Sequence, residues 1–191
     1  MAEPAGVVTG PPGRFIDSGA KFAANVGIGM ALVIAIAFEL IVAVQSLPFI
    51  IAPLAGLLIG GYANQRSERW RPRRRVFANA AYAGFVTGLS LAVIYVLLRL
   101  LFIFVDTGTL PTGASLTCQT GPDCTYQRYI QLGQQDQLTA AGITDGASFG
   151  AYELHEQLNG GIILVGLTTS GALLAAGFRS IRKPGVPAKM A

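Results

Sequence analysis

Three long apolar runs organise the chain. They cover residues 24–44, with Asn25 and Glu39 as interruptions; residues 76–105, with Arg99 as the single charge; and residues 160–178, with Thr168, Thr169 and Ser170 as the polar members. Each is long enough to cross a hydrocarbon layer as an α-helix, which takes about 20 residues. A fourth run, 48–63, has only 16 residues and contains Pro53, which lacks a backbone N–H. Charge placement decides that it crosses as well. Arg66, Arg69, Arg71, Arg73, Arg74 and Arg75 fill the stretch between the second and third runs. Arg179, Arg182, Lys183 and Lys189 follow the last run, while Arg14 and Lys21 precede the first. Four crossings bring all of these to one side, and Lys and Arg mark the cytoplasmic side. Were 48–63 a re-entrant hairpin, the Arg-rich loop would face outward.

The expectation is therefore an all-α integral membrane protein. It is a four-transmembrane-helix bundle with a small, mostly helical extracytoplasmic cap between the third and fourth spans. The organisation predicted is a flexible cytoplasmic tail over 1–20, spans at about 21–45, 48–63 and 76–105, and an Arg-rich cytoplasmic loop over 64–75. An extracytoplasmic segment over 106–158, a fourth span over 159–181 and a cytoplasmic tail over 182–191 complete it. Pro4, Pro11 and Pro12 crowd the first tail, and the apolar run behind it is too long for a cleavable signal. Asp17 or Ser18 is a candidate cap for the first helix. Both termini are expected in the cytoplasm and the protein in the plasma membrane of a bacterium.

Composition agrees with this. Charged residues make up 13% of the chain and hydrophobic ones 52%, where a soluble domain carries about 25% charged. That excludes a soluble globular or a disordered protein.

The segment 106–158 is acidic, with Asp106, Asp123, Asp136, Asp145, Glu153 and Glu156 against the single base Arg128. Both cysteines, Cys118 and Cys124, lie in it. In an oxidising compartment they are expected to close a small disulfide loop. Free thiols are one alternative, and a zinc site completed by Asp123 and His155 is another, although a lone cysteine pair at this distance is not a zinc-finger spacing. Tyr126, Tyr129, Ile130 and Leu132 predict a short helix ending at Gly133, and a second is expected from Gln134 to a stop at Gly142. A third, capped by Asp145, is expected to run on into the fourth span. His155 reads as an interfacial residue.

Inside the spans, small residues recur every four positions: Gly27, Ala31 and Ala35; Gly56 and Gly60; Gly84 and Gly88; Ala172 and Ala176. Lipid supplies little hydrophobic drive between helices, so small residues that let backbones approach mark packing faces. These faces suit packing within the bundle, with homodimerisation through Gly56/Gly60 or Gly84/Gly88 as the other reading.

Glu39 and Arg99 are the ionisable residues deep in spans, Tyr aside. Both fall on the small-residue faces and at similar distances from the outer ends. A lone charge there costs a few kcal/mol, so an intramembrane ion pair is expected. Such a pair can fix helix register, or serve as a proton or ion relay.

The six arginines of the loop, with Trp70 beside them, are assigned to anionic lipid headgroups and not to nucleic acid. No nucleotide, metalloprotease, serine-hydrolase or dithiol motif occurs, and no metal or cofactor is expected. The organisation is similar to that of small four-span bacterial membrane proteins with a glycine-rich second helix, a likeness of architecture only. Function is expected to be that of a non-enzymatic accessory or scaffold component whose cap contacts a partner, the alternative being a small transporter or channel using Glu39 and Arg99. A protein partner or a second copy of the chain are the associations anticipated.

Overall fold

The computed structural model describes residues 15–41, 46–67, 72–110 and 113–181. Most of the predicted tails, 1–14 and 182–191, together with Arg69, Trp70 and Arg71, lie outside them. The described residues are helical apart from turns and one isolated antiparallel bridge, Thr109 to Ser115. Helix α1 spans Ser18–Ile36 and passes into a π-helical turn, Ala37–Ile41. Helices α2 (Leu47–Arg66), α3 (Arg73–Phe104), α4 (Pro122–Gln131), α5 (Gln135–Ala140) and α6 (Gly146–Ile181) follow. Among the described residues four helices are long and apolar enough to cross a membrane: α1 with its π turn, α2, α3 and α6.

Three predicted boundaries are corrected. The second crossing helix has 20 residues, because it runs through Asn64, Gln65 and Arg66. Arg73, Arg74 and Arg75, expected in a loop, form the first turn of α3 after Pro72, whose ring presets a backbone suited to a helix start. Helix α1 begins at Ser18, inside the expected tail. Asp17 occupies its N-cap position but makes no side-chain cap. Its carboxylate instead accepts a hydrogen bond from Asn79 Nδ2 at 2.7 Å, and Asn79 Oδ1 accepts from the Asp17 N–H at 3.0 Å. That exchange ties the start of α1 to α3.

Helices α1 and α6 lie on opposite sides of the α2–α3 pair, each packed on both members. The interior is distinguished by size more than by polarity. Its walls are Ala31, Ala35, Ala52, Ala55, Ala83, Ala172 and Ala176, while Val33, Leu54, Leu58, Leu97, Ile162 and Phe178 point outward. Small residues inside permit the close approach that dispersion between helices needs. A Cβ built on Gly60 would stand 2.6 Å from the Ala172 Cα, and one on Gly56 would collide with the Thr168 carbonyl. Gly84 and Gly88 meet the same α6 stretch at Ala172, Thr168 and Val165. All four glycines therefore serve contacts inside this chain. Across the seam, a Cβ on Gly171 would overlap the Pro53 carbonyl. Two buried hydroxyls are satisfied on their own helices: Thr87 donates to the Ala83 carbonyl and Thr168 to that of Leu164, both at 2.8 Å. The buried Thr169 Oγ1 has no partner among the described residues.

The α3–α6 connection packs α4 onto the first turns of α6, where Gly146 touches Asp123 and Gly150 touches Pro122. Tyr126, Leu138, Ile143 and Phe149 bury one another there. Gly133 and Gly142 end α4 and α5 with φ of +77° each, a conformation that costs a side-chain-bearing residue about 1 kcal/mol or more. Asp145 caps α6: its Oδ1 accepts from the Ser148 N–H at 2.7 Å, and the Ser148 hydroxyl accepts from the Asp145 N–H at 3.1 Å. Those bonds from the Ser148 backbone and hydroxyl hold the Asp145 carboxyl below its ordinary range.

Substituting Gly60 by Val is expected to lower stability by about 1–3 kcal/mol through overpacking. Gly61→Ala, with open space around its Cβ, should be neutral or slightly stabilising. Unfolding midpoints in mixed detergent micelles check both.

Candidate functional site

A layer of polar and aromatic side chains crosses the bundle near the C-terminal ends of α1 and α3. Arg99 Nε stands 2.7 Å from Glu39 Oε2, and the Glu39 side chain is only 3% exposed. The contact is short but poorly aligned. Arg99 Nε donates no hydrogen bond of good geometry, and Glu39 Oε1 accepts none. The attraction is thus coulombic more than directional. The π turn places Glu39: its wider coil departs from the 3.6-residue repeat just where the carboxylate has to enter the bundle. Tyr95, one turn before Arg99, lays its ring under the guanidinium at 5.6 Å, and Phe49 of α2 meets Tyr95 edge-on at 5.7 Å. Cation–π contact adds stabilisation that grows as water is excluded.

Above this layer a pocket of about 270 Å³ opens between the end of α3, α4 and α6. Arg99, Asp106, Thr125, Tyr129, Glu153 and Gln157 give it a polar lining, and Phe102 and Ile103 an apolar edge. Gln157 donates through Nε2 to Glu153 Oε2 at 2.9 Å. Its own Oε1 is buried and accepts nothing.

Asp106 forms the pocket's hinge with α4. Arg128 Nη2 donates to Asp106 Oδ1 at 2.7 Å, Thr125 Oγ1 to Oδ2 at 3.1 Å, and the Gly108 N–H to Oδ1 at 2.8 Å. Partial burial pushes the Asp106 carboxyl upward, but the bonds from Arg128, Gly108 and Thr125 together outweigh it and hold it below the ordinary carboxylate range. Burial raises the Tyr129 hydroxyl above its usual value. Cys118 and Cys124 are joined by a disulfide, so neither is a metal ligand. A Cβ on Gly108 would stand 2.6 Å from Cys118 Sγ, so the bridge packs directly on the chain leaving α3.

Among the described residues no group of three or more His, Cys, Asp or Glu side chains could hold a metal ion. His155 is exposed beside Asn159, with 3.2 Å between His155 Nδ1 and Asn159 Nδ2. At the opposite end, Arg66 donates to the Tyr62 hydroxyl at 3.1 Å and covers the Phe22 ring. Arg73 and Arg74 are exposed there, and Arg75 is half-buried.

Two elements of the site escape sequence reasoning. Asp106 and Arg128 are 22 residues apart, and only the opposite charges in an otherwise acidic segment hint that they pair. The Tyr95–Arg99 stack is marked by its four-residue spacing, which puts both on one helix face. No protein-family model, curated protein or solved structure matches the chain.

Replacing Glu39 by Gln leaves Arg99 without its counter-charge and should cost about 2–3 kcal/mol, within the range for a broken intramembrane pair. The double exchange Glu39→Arg with Arg99→Glu should recover most of it, read as the unfolding midpoint in detergent. A second expectation concerns acid. A carboxyl depressed in the folded state stabilises above its unfolded pKa, and the effect is lost as pH falls through the lower, folded value. Amide exchange at Gly108 and Gly121, corrected for intrinsic rates, should accelerate below about pH 4, the ordinary Asp value. Asp106→Asn should abolish that pH dependence.

Proposed function

We propose that this chain is a non-enzymatic multi-pass protein of the plasma membrane, acting as an accessory or scaffold component. In this reading both termini and the basic ends of α2 and α3 face the cytoplasm, where Arg66, Arg73, Arg74 and Arg75 attract anionic headgroups. The acidic α3–α6 connection then lies outside as a small cap held by the Cys118–Cys124 bridge. A disulfide in that segment accords with an oxidising compartment.

The observation carrying the reading is the backbone-level closure of the α2–α3–α6 seam at Gly56, Gly60, Gly84 and Gly171. Helices locked by main-chain contact suit a fixed platform better than a carrier whose halves must part and close. Leu132, 69% exposed at the end of α4, offers the cap an apolar contact for a partner. The alternative, a small transporter or channel, is favoured by one observation: Glu39 Oε1 and Arg99 Nε are buried without hydrogen-bond partners at the base of the polar pocket.

A photo-crosslinking residue at position 132 tests the platform reading in intact cells. One discrete adduct with another protein, lost when the crosslinker is moved to lipid-facing Leu58, is expected. Absence of any adduct, together with proton or cation flux in reconstituted vesicles that Glu39→Gln abolishes, would overturn the scaffold role in favour of transport.

A further inference from the structure

The pocket above Arg99 holds charge and hydrogen-bonding capacity that the protein itself does not use. Among the described residues the two terminal amino groups of Arg99 donate no hydrogen bond, while its Nε meets Glu39 and its guanidinium covers the Tyr95 ring. Both Nη groups belong to a side chain that lines the pocket and is 18% exposed. A guanidinium fork of this kind suits a carboxylate or phosphate oxygen pair. Glu153 and Gln157 line the same pocket. Because the Gln157 amide N–H is directed at Glu153, the identity of its two ends is settled by that bond, and Oε1 is the buried atom left without a donor. That buried atom is closed to a ligand, and Gln157 contributes by holding the Glu153 carboxylate at the pocket.

A simple anion fits this lining poorly, since Glu153 and Asp106 would repel it. A simple cation fits poorly beside Arg99. We infer that the pocket binds a small zwitterion, with its oxyanion on the Arg99 fork and its primary ammonium on the Glu153 carboxylate. A primary ammonium carries three N–H donors to offer that carboxylate. A quaternary ammonium carries none. The volume of about 270 Å³ admits a group of headgroup or amino-acid size and not a drug-sized molecule. Asp106 is occupied by Arg128, Thr125 and Gly108 and acts as a wall. The site stands apart from the scaffold reading and does not require it.

Two sources offer this chemistry: the headgroup of phosphatidylethanolamine, with Phe102 and Ile103 at the apolar edge, and a free phosphoethanolamine-type solute. The protein in lipid nanodiscs is examined by native mass spectrometry for retention of phosphatidylethanolamine against phosphatidylcholine. The detergent-purified protein is titrated with glycerophosphoethanolamine and, as control, glycerophosphocholine. A preference of about tenfold for the primary amine in either arm is expected, about 1.4 kcal/mol by the standard relation. It should fall to near unity in Glu153→Gln, while Arg99→Lys, which keeps a positive charge beside Glu39, should weaken binding of both compounds alike. Preference in the nanodisc arm alone assigns the headgroup, and preference for the soluble compound alone assigns a free solute. No discrimination in either arm, or discrimination unchanged in Glu153→Gln, overturns the proposal.

Discussion

Main-chain contact between α6 and its two neighbours is the constraint from which the rest of the architecture follows. Where Gly56, Gly60 and Gly84 face Thr168 and Ala172, the helices approach until backbone meets backbone. In water an apolar stripe would drive such helices together. In lipid the stripe has no such advantage, and packing must come from short-range dispersion over close surfaces. That accounts for an interior of alanine and glycine beneath an exterior of leucine, isoleucine and phenylalanine. It also accounts for Pro53, whose carbonyl sits against Gly171.

Polar groups in the interior are then mostly tied to specific partners. Toward the basic end, Asn79 exchanges two hydrogen bonds with Asp17, and Asn64 bonds the carbonyls of Gly60 and Val76. Toward the other end the partners are charged. Glu39 reaches Arg99 from a π turn, and Tyr95 shields the guanidinium. The two ends differ in kind. Asn79 and Asp17 exchange hydrogen bonds with one another, whereas the Glu39–Arg99 layer retains unmet atoms beneath an opening in the protein.

The crossing helices were legible in the sequence because lipid demands uninterrupted apolar length, and a charge such as Glu39 or Arg99 stands out within it. The cysteine bridge was legible from the oxidising compartment assigned to its segment, with the spacing arguing against zinc. What escaped depends on information no local window carries. Nothing in Ala-Phe-Glu-Leu-Ile distinguishes a π turn from ordinary helix, since the deviation is forced by where the carboxylate has to go. The start of α3 at Arg73 was hidden because three arginines read as loop by charge, although Arg is a good helix former. The Asp106–Arg128 pair required knowing that α4 folds back over the end of α3. For Glu39 and Arg99 the sequence supplied the contact as an expectation, while the use of that contact depends on a pocket built from three separate helices.

Helix α6 runs unbroken from Gly146 to Ile181, about 54 Å at 1.5 Å per residue, against a hydrocarbon layer of about 30 Å. Its first turns are clamped by α4, and its lower half is seated on α2 and α3 with no hinge between. Mechanically it is a rod resting on a fulcrum at the Gly160–Gly161 level, where Tyr95, Phe49 and Val96 press on it. Because main-chain contact holds Ala172 in the seam, a sideways load on Phe149 is taken up as bending strain in the helix. The short helices at one end and the seam at the other are joined by a single stiff element.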